Sequence, residues 1–73
     1  MFNLSLRLAQ HIRRYSVFAA ETGWEARLEE DHEVRRRELY QDWHRVERAI
    51  ARFEREVLEL QASGWLIAPD LSN

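Results

Sequence analysis

Along residues 1–20, Leu4, Leu8, Ile12, Tyr15 and Ala19 line one side of a helical projection, with His11 and Phe18 at its edge. Leu6 and Val17 fall on the opposite side, so a helix here would need cover from two directions. Asn3 or Ser5 supplies an N-cap, and the spacing predicts a short helix over residues ~4–20. Thr22 and Glu25 then read as a capping box that opens a second helix. No glycine or proline follows until Gly64, so this helix is expected to run through residues ~23–62, roughly 60 Å at the usual rise. Gly64 is placed to end it in a Schellman motif, with Trp65 touching Leu60. "WLIAPDLSN" follows as an extended apolar tail, with Trp65, Leu66 and Ile67 expected to pack back on the helices.

The second half of the long segment carries the clearest periodicity. Leu39, Trp43, Val46, Ile50, Phe53, Val57 and Leu60 alternate spacings of four and three, a heptad seam. Helical spacing accounts for Trp43 and Phe53 as core residues, without a cofactor. Acidic Asp42, Glu47, Glu54 and Glu56 flank the seam, so two identical seams would repel. A first helix folded back about residues 21–22 sets positions whose numbers sum to about 43 opposite each other. His11 then faces His32, Arg14 faces Glu29, and Leu4 faces Leu39. That helix is too short to reach Ile50, Phe53, Val57 and Leu60, so a second chain is expected to cover them, most simply in a symmetric dimer. A break near residues 30–37 would give a three-helix monomer instead, but no breaker residue stands there.

"EEDHEVRRRELYQDWH", residues 29–44, interrupts the apolar pattern. It reads as a polar layer in a continuous helix, with Glu33 spaced to pair with Arg36 and Arg37. Glu29 and His32 form the i, i+3 pair that some carboxylate metal bundles place on one helix face. With His11 nearby in the expected hairpin, these three are the candidate metal ligands, but the motif is common by chance. No cofactor is expected. Nucleophile elbow, phosphate loop and zinc-protease motif are all missing from the sequence, and no enzymatic activity is expected.

Charge changes the picture modestly. The chain has 73 residues and a formal net charge of −2. Residues 1–20 hold three arginines and no acid, which raises a basic membrane-surface helix as a possibility. Arg45, Arg48, Arg52 and Arg55 form a stripe on the outer face of the long helix, a candidate anion-binding surface for nucleic acid. Interleaved glutamates and the acidic balance weigh against both uses. With no cysteine there is no disulfide to support so small a core. No apolar run approaches the ~20 residues of a membrane span, and a cytoplasmic location is expected.

The sequence therefore predicts one all-α domain over residues 1–73, an antiparallel helical hairpin that assembles into an oligomeric bundle. Its expected role is non-enzymatic protein–protein interaction or assembly, through a second copy or a helical partner. Nucleic-acid or anionic-surface binding is the first alternative, and a His/carboxylate metal bundle the second.

Overall fold

The computed structural model describes residues 2–68. It contains β1 (Phe2–Leu8), β2 (His11–Ala20), β3 (Gly23–Glu30), β4 (Glu33–Tyr40), α1 (Trp43–Ala62) and β5 (Leu66–Ala68). The strands form one antiparallel sheet in the order β4-β3-β2-β1-β5. The all-α helical hairpin and its coiled-coil bundle are thus overturned: residues 4–20 are two strands, and the first half of the long helix is two more.

The physical reason lies in period two. Leu4 and Leu6 alternate with Asn3, Ser5 and Arg7, Tyr15 and Val17 with Arg14 and Ser16, and Trp24, Ala26 and Leu28 with Glu25 and Arg27. Cross-strand pairing sets these apolar residues side by side on one face: Leu4 opposite Tyr15, Tyr15 opposite Leu28, Val17 opposite Ala26. A helix of this sequence would split them between two sides; a sheet gathers them.

The turns complete the argument. Asp31 and His32 both have positive φ (52° and 70°), as the tight hairpin turn between β3 and β4 requires. Asp and His tolerate that conformation better than most residues. Gly23, at φ 126°, follows the Glu21–Thr22 turn, and a Cβ there would collide with the Tyr40 carbonyl oxygen. Thr22 is therefore a turn residue rather than a helix cap. The antiparallel register expected about residues 21–22 does hold between strands, for Arg14 stands opposite Glu29. Leu4 and Leu39 do not meet: Leu4 pairs with Tyr15, and Leu39 with Glu25.

The helix begins at Asp42, whose carboxylate accepts the His44 backbone N–H at 3.0 Å. It ends as expected, with Trp65 N–H donating to the Leu60 carbonyl and Gly64 N–H to that of Gln61. One stripe of α1, Val46, Ala49, Phe53 and Val57, is buried against Leu6, Tyr15, Val17, Ala26 and Leu28 of the sheet. Phe53 meets the Tyr15 ring at 4.8 Å and the Phe2 ring at 6.2 Å. Because β4 and β5 lie at opposite ends of the sheet, α1 crosses the whole sheet, about 19 Å at ordinary strand spacing. The expected tail is corrected in part. Residues 66–68 pair with β1, yet Leu66 and Ile67 remain 72% and 52% exposed. Residues 69–73 lie outside the described residues.

The seam also changes meaning. Val46, Phe53 and Val57 are buried within their own chain, and Ile50 and Leu60 pack at the margin of that core. Trp43 meets Trp24 edge-on at 5.2 Å. Leu39 is not on the helix at all; it lies on β4 and is 65% exposed. The premise that these residues need a second chain is therefore removed.

Candidate functional site

Among the described residues one helix covers one face of the sheet, and no element covers the other. Alternation puts Asn3, Ser5 and Arg7 of β1 on this outer face, with Ile12, Arg14, Ser16 and Phe18 of β2, Glu25, Arg27 and Glu29 of β3, and Arg37 and Leu39 of β4. Four arginines thus share it with two glutamates.

The register explains how they coexist. Arg27 and Arg37 are directly opposed across β3 and β4, an arrangement that costs stability unless a counter-charge intervenes. Glu25 supplies it. Its carboxylate oxygen accepts Arg27 Nε at 2.8 Å and Arg37 Nε at 3.1 Å. Burial alone would raise the Glu25 carboxyl, but these two arginines outweigh it and hold the group below the usual range. Glu25 is 4% exposed although no helix covers it, because the arginine stems lie across it. The Arg27 guanidinium also sits 5.0 Å above the Phe18 ring centre. On the neighbouring strands Arg14 Nε reaches the Ser5 hydroxyl at 3.5 Å, and Ser5 is buried beneath it. Arg7 lies beyond, exposed. The four arginines run diagonally across β4, β3, β2 and β1, over a surface whose apolar members are Ile12, Phe18, Leu39 and Leu66.

The helix-facing side carries polar groups as well, and several of them pair with one another, although Arg52 Nε is buried without a hydrogen-bond partner among the described residues. Tyr15 donates to Glu56 at 2.9 Å, Arg36 donates to the same oxygen at 2.8 Å, and Arg13 bridges Glu30 and Tyr15. Burial raises the Glu56 carboxyl, but Arg36 and Tyr15 together bring it below its ordinary value. Burial pushes the Tyr15 hydroxyl up. This network joins three strands to α1.

The four arginines of the stripe read from the sequence all lie on α1, where they differ in their partners. Arg52 turns to Glu38 at 3.0 Å and to the Tyr40 hydroxyl at 3.4 Å. Arg45, Arg48 and Arg55 are exposed on α1 with Glu47, Glu54 and Glu59 among them. The basic first helix is a hairpin instead, with Arg7 and Arg14 on the outer face and Arg13 on the other. The candidate metal ligands separate. His11 binds Asp31 at 2.9 Å, His32 is in the β3–β4 turn, and Glu29 points to the outer face. Among the described residues no group of three or more His, Cys, Asp or Glu could hold a metal ion. The polar layer proposed for residues 29–44 is the end of β3, a turn, the edge strand β4 and the start of α1.

Sequence reasoning missed the outer-face cluster. Its signal was present as Arg14, Arg27 and Arg37 on three strands, but that they share a face is visible only once the strands are aligned.

A depression of about 470 Å³ lies between the β2–β3 turn and the start of α1, lined by Thr22, Leu39, Tyr40, Gln41, Asp42 and Arg45. Asp42 is already engaged as the helix cap there. Among the described residues, no helix is long and apolar enough to cross a membrane. No family model, curated protein or solved structure matches the chain.

Proposed function

We propose that the protein is a non-enzymatic interaction module that presents the open face of its sheet to a protein partner with an acidic surface. The observation that carries this reading is the diagonal of Arg7, Arg14, Arg27 and Arg37 on a face that no element of the described residues covers. Arginine beside aromatic and aliphatic side chains is the composition of interface hot spots. Arg27 is held in advance by Glu25 and Phe18, which lowers the entropy lost when a partner docks. A second copy suits the face less well, because a two-fold contact would set one arginine field against another. Non-enzymatic use is supported by the pairing of the buried Glu25 and the half-buried Glu56 with arginines. A fold closed by packing and ion pairs, without cysteine, suits a reducing compartment such as the cytoplasm.

The test places a photo-reactive residue at Ser16, in the centre of the outer face, or at Leu58, exposed on the far side of α1, and cross-links in the producing cell. The expected result is a discrete protein adduct at Ser16, missing at Leu58, and lost when Arg7→Glu and Arg14→Gln are added. Equal adducts at both positions, or a Ser16 adduct indifferent to the arginine changes, would overturn the reading. An adduct of two copies of this chain would replace the acidic partner with a homo-oligomer.

A further inference from the structure

The two ends of the sheet differ in kind. β5 is a three-residue edge, Leu66–Ala68, without a charge. β4 is an eight-residue edge, Glu33–Tyr40, paired to β3 alone and exposed at every position from Glu33 to Leu39. At ordinary strand rise it offers about 26 Å of backbone whose outward N–H and C=O groups have no strand beside them among the described residues.

Three consecutive arginines occupy its middle. Arg36 points to the helix side, where it holds Glu56, and Arg37 to the outer face, where it holds Glu25. Arg35 is the extra residue at the bulge, since Leu28 pairs with Arg36 and Glu29 with Val34. Its charge helps to lower the Asp31 carboxyl, yet it makes no ion pair with a described residue. Charges and a bulge on an edge discourage a second copy from adding to it. A two-fold contact centred on Arg36 would oppose Arg35 to Arg37 and Arg36 to itself, with like charges at every central pair.

The same pattern is complementary to a different strand. We propose that the β4 edge receives an extended acidic segment of a partner protein by strand addition, distinct from docking on the open face. Backbone hydrogen bonds to β4 fix the segment. Acidic side chains on either of its faces meet Arg36 on the helix side or Arg37 on the outer side, with the charge of Arg35 between them at the bulge, while Val34 and Leu39 accept apolar neighbours. A nucleic acid could satisfy the charges but not the strand hydrogen bonds, and the chain's own net charge of −2 opposes it.

The experiment uses the full chain, isotope-labelled for amide detection. The probes are a short peptide alternating valine and glutamate, its lysine counterpart, the acidic peptide N-methylated on alternate residues, and a thymidine oligonucleotide. The expected result is slowed amide exchange confined to residues 33–40 with the acidic peptide alone. Arg35→Glu is expected to weaken binding at least about fivefold, and Arg48→Glu on α1 to leave it unchanged. Any of four outcomes overturns the proposal: no protection of β4 at the solubility limit of the peptide; equal binding of the N-methylated peptide; equal binding of the oligonucleotide; or protection of β4 that rises with protein concentration without any probe. None of these touches the Ser16 cross-link, so the open-face reading stands or falls separately.

Discussion

Single residues fix the turns on which this fold depends. Gly23 shows it most directly, since its positive φ and the Tyr40 carbonyl beside it leave no room for a Cβ. Gly23→Ala is expected to destabilise the protein by roughly 2–3 kcal/mol, measured by denaturant unfolding. His11 and Asp31 act at the opposite end of β2. Asp31 accepts both the His11 ring and the Ile12 backbone N–H, its own N–H donates to the Ile12 carbonyl, and so the β3–β4 turn is tied to the start of β2. The hydrogen bond and charge of Asp31 raise His11 above its ordinary 6.5, and His11 together with the Ile12 amide lowers Asp31 below 3.8. A raised histidine stabilises fully below 6.5, and that contribution fades as pH rises through its folded value. A lowered carboxylate stabilises above 3.8, and that contribution fades as pH falls through its folded value. The pair should therefore strengthen the turn between those limits. In His11→Gln, unfolding midpoints followed against pH should lose the decline on the alkaline side of 6.5 while keeping the one in acid. An unchanged profile would show that the pair does not contribute.

At the level of elements, what the sequence disclosed depended on whether an element carries its own period. α1 does, and its second half was legible with its Schellman end, because Gly64, Trp65 and Leu60 are local. Its start was misread, because helix-forming Arg35–Glu38 and Leu39 run into Asp42 without a glycine or proline. β4 has so few apolar positions that neither period stands out, and an edge strand can be polar on both faces. β1, β2 and β3 were legible in principle: Leu4 and Leu6, Tyr15 and Val17, and Trp24, Ala26 and Leu28 alternate. A helical projection absorbed Leu4 and Tyr15 and left Leu6 and Val17 as exceptions, and those exceptions were the evidence for a sheet. Of the outer-face cluster only the opposition of Arg14 and Glu29 was legible; Arg27 and Arg37 are brought beside Glu25 by strand register alone. The packing of α1 gives a contrast that can be measured. Phe53→Ala, which empties a buried ring site beneath Tyr15 and Phe2, should cost about 3–5 kcal/mol. Leu58→Ser, on the exposed side of the same helix, should change stability by no more than about 0.5 kcal/mol.

Across the whole molecule, the two faces of the sheet divide the work. One is closed by α1 and by the Tyr15–Glu56–Arg36 network; the other offers its arginines outward. The division follows from the elements described, since a five-stranded sheet with one helix is covered on one side only. It also explains how a small chain with a net charge of −2 can present a basic surface: several of the acids, Glu30, Glu38 and Glu56 among them, are engaged on the helix side or at its margin.

The crossover that delivers β5 to β1 sets an order of events. The hairpins from β1 to β4 join neighbours in sequence, so their loops close early and at low entropic cost. Leu6 and Ile67, by contrast, pair across nearly the full length of the chain, and are expected to do so only after α1 has settled across the sheet. Contacts made that late are absent from the transition state, so weakening them should accelerate unfolding and leave refolding unaltered. In stopped-flow measurements, Ile67→Ala should steepen the loss of the native state at high denaturant while its refolding limb overlays that of the parent protein. A slowed refolding limb would instead make β5 part of the nucleus. On the ribosome the consequence is temporal: the meander can form while α1 is still being made, and the barrier against reopening is raised only when the last strand emerges.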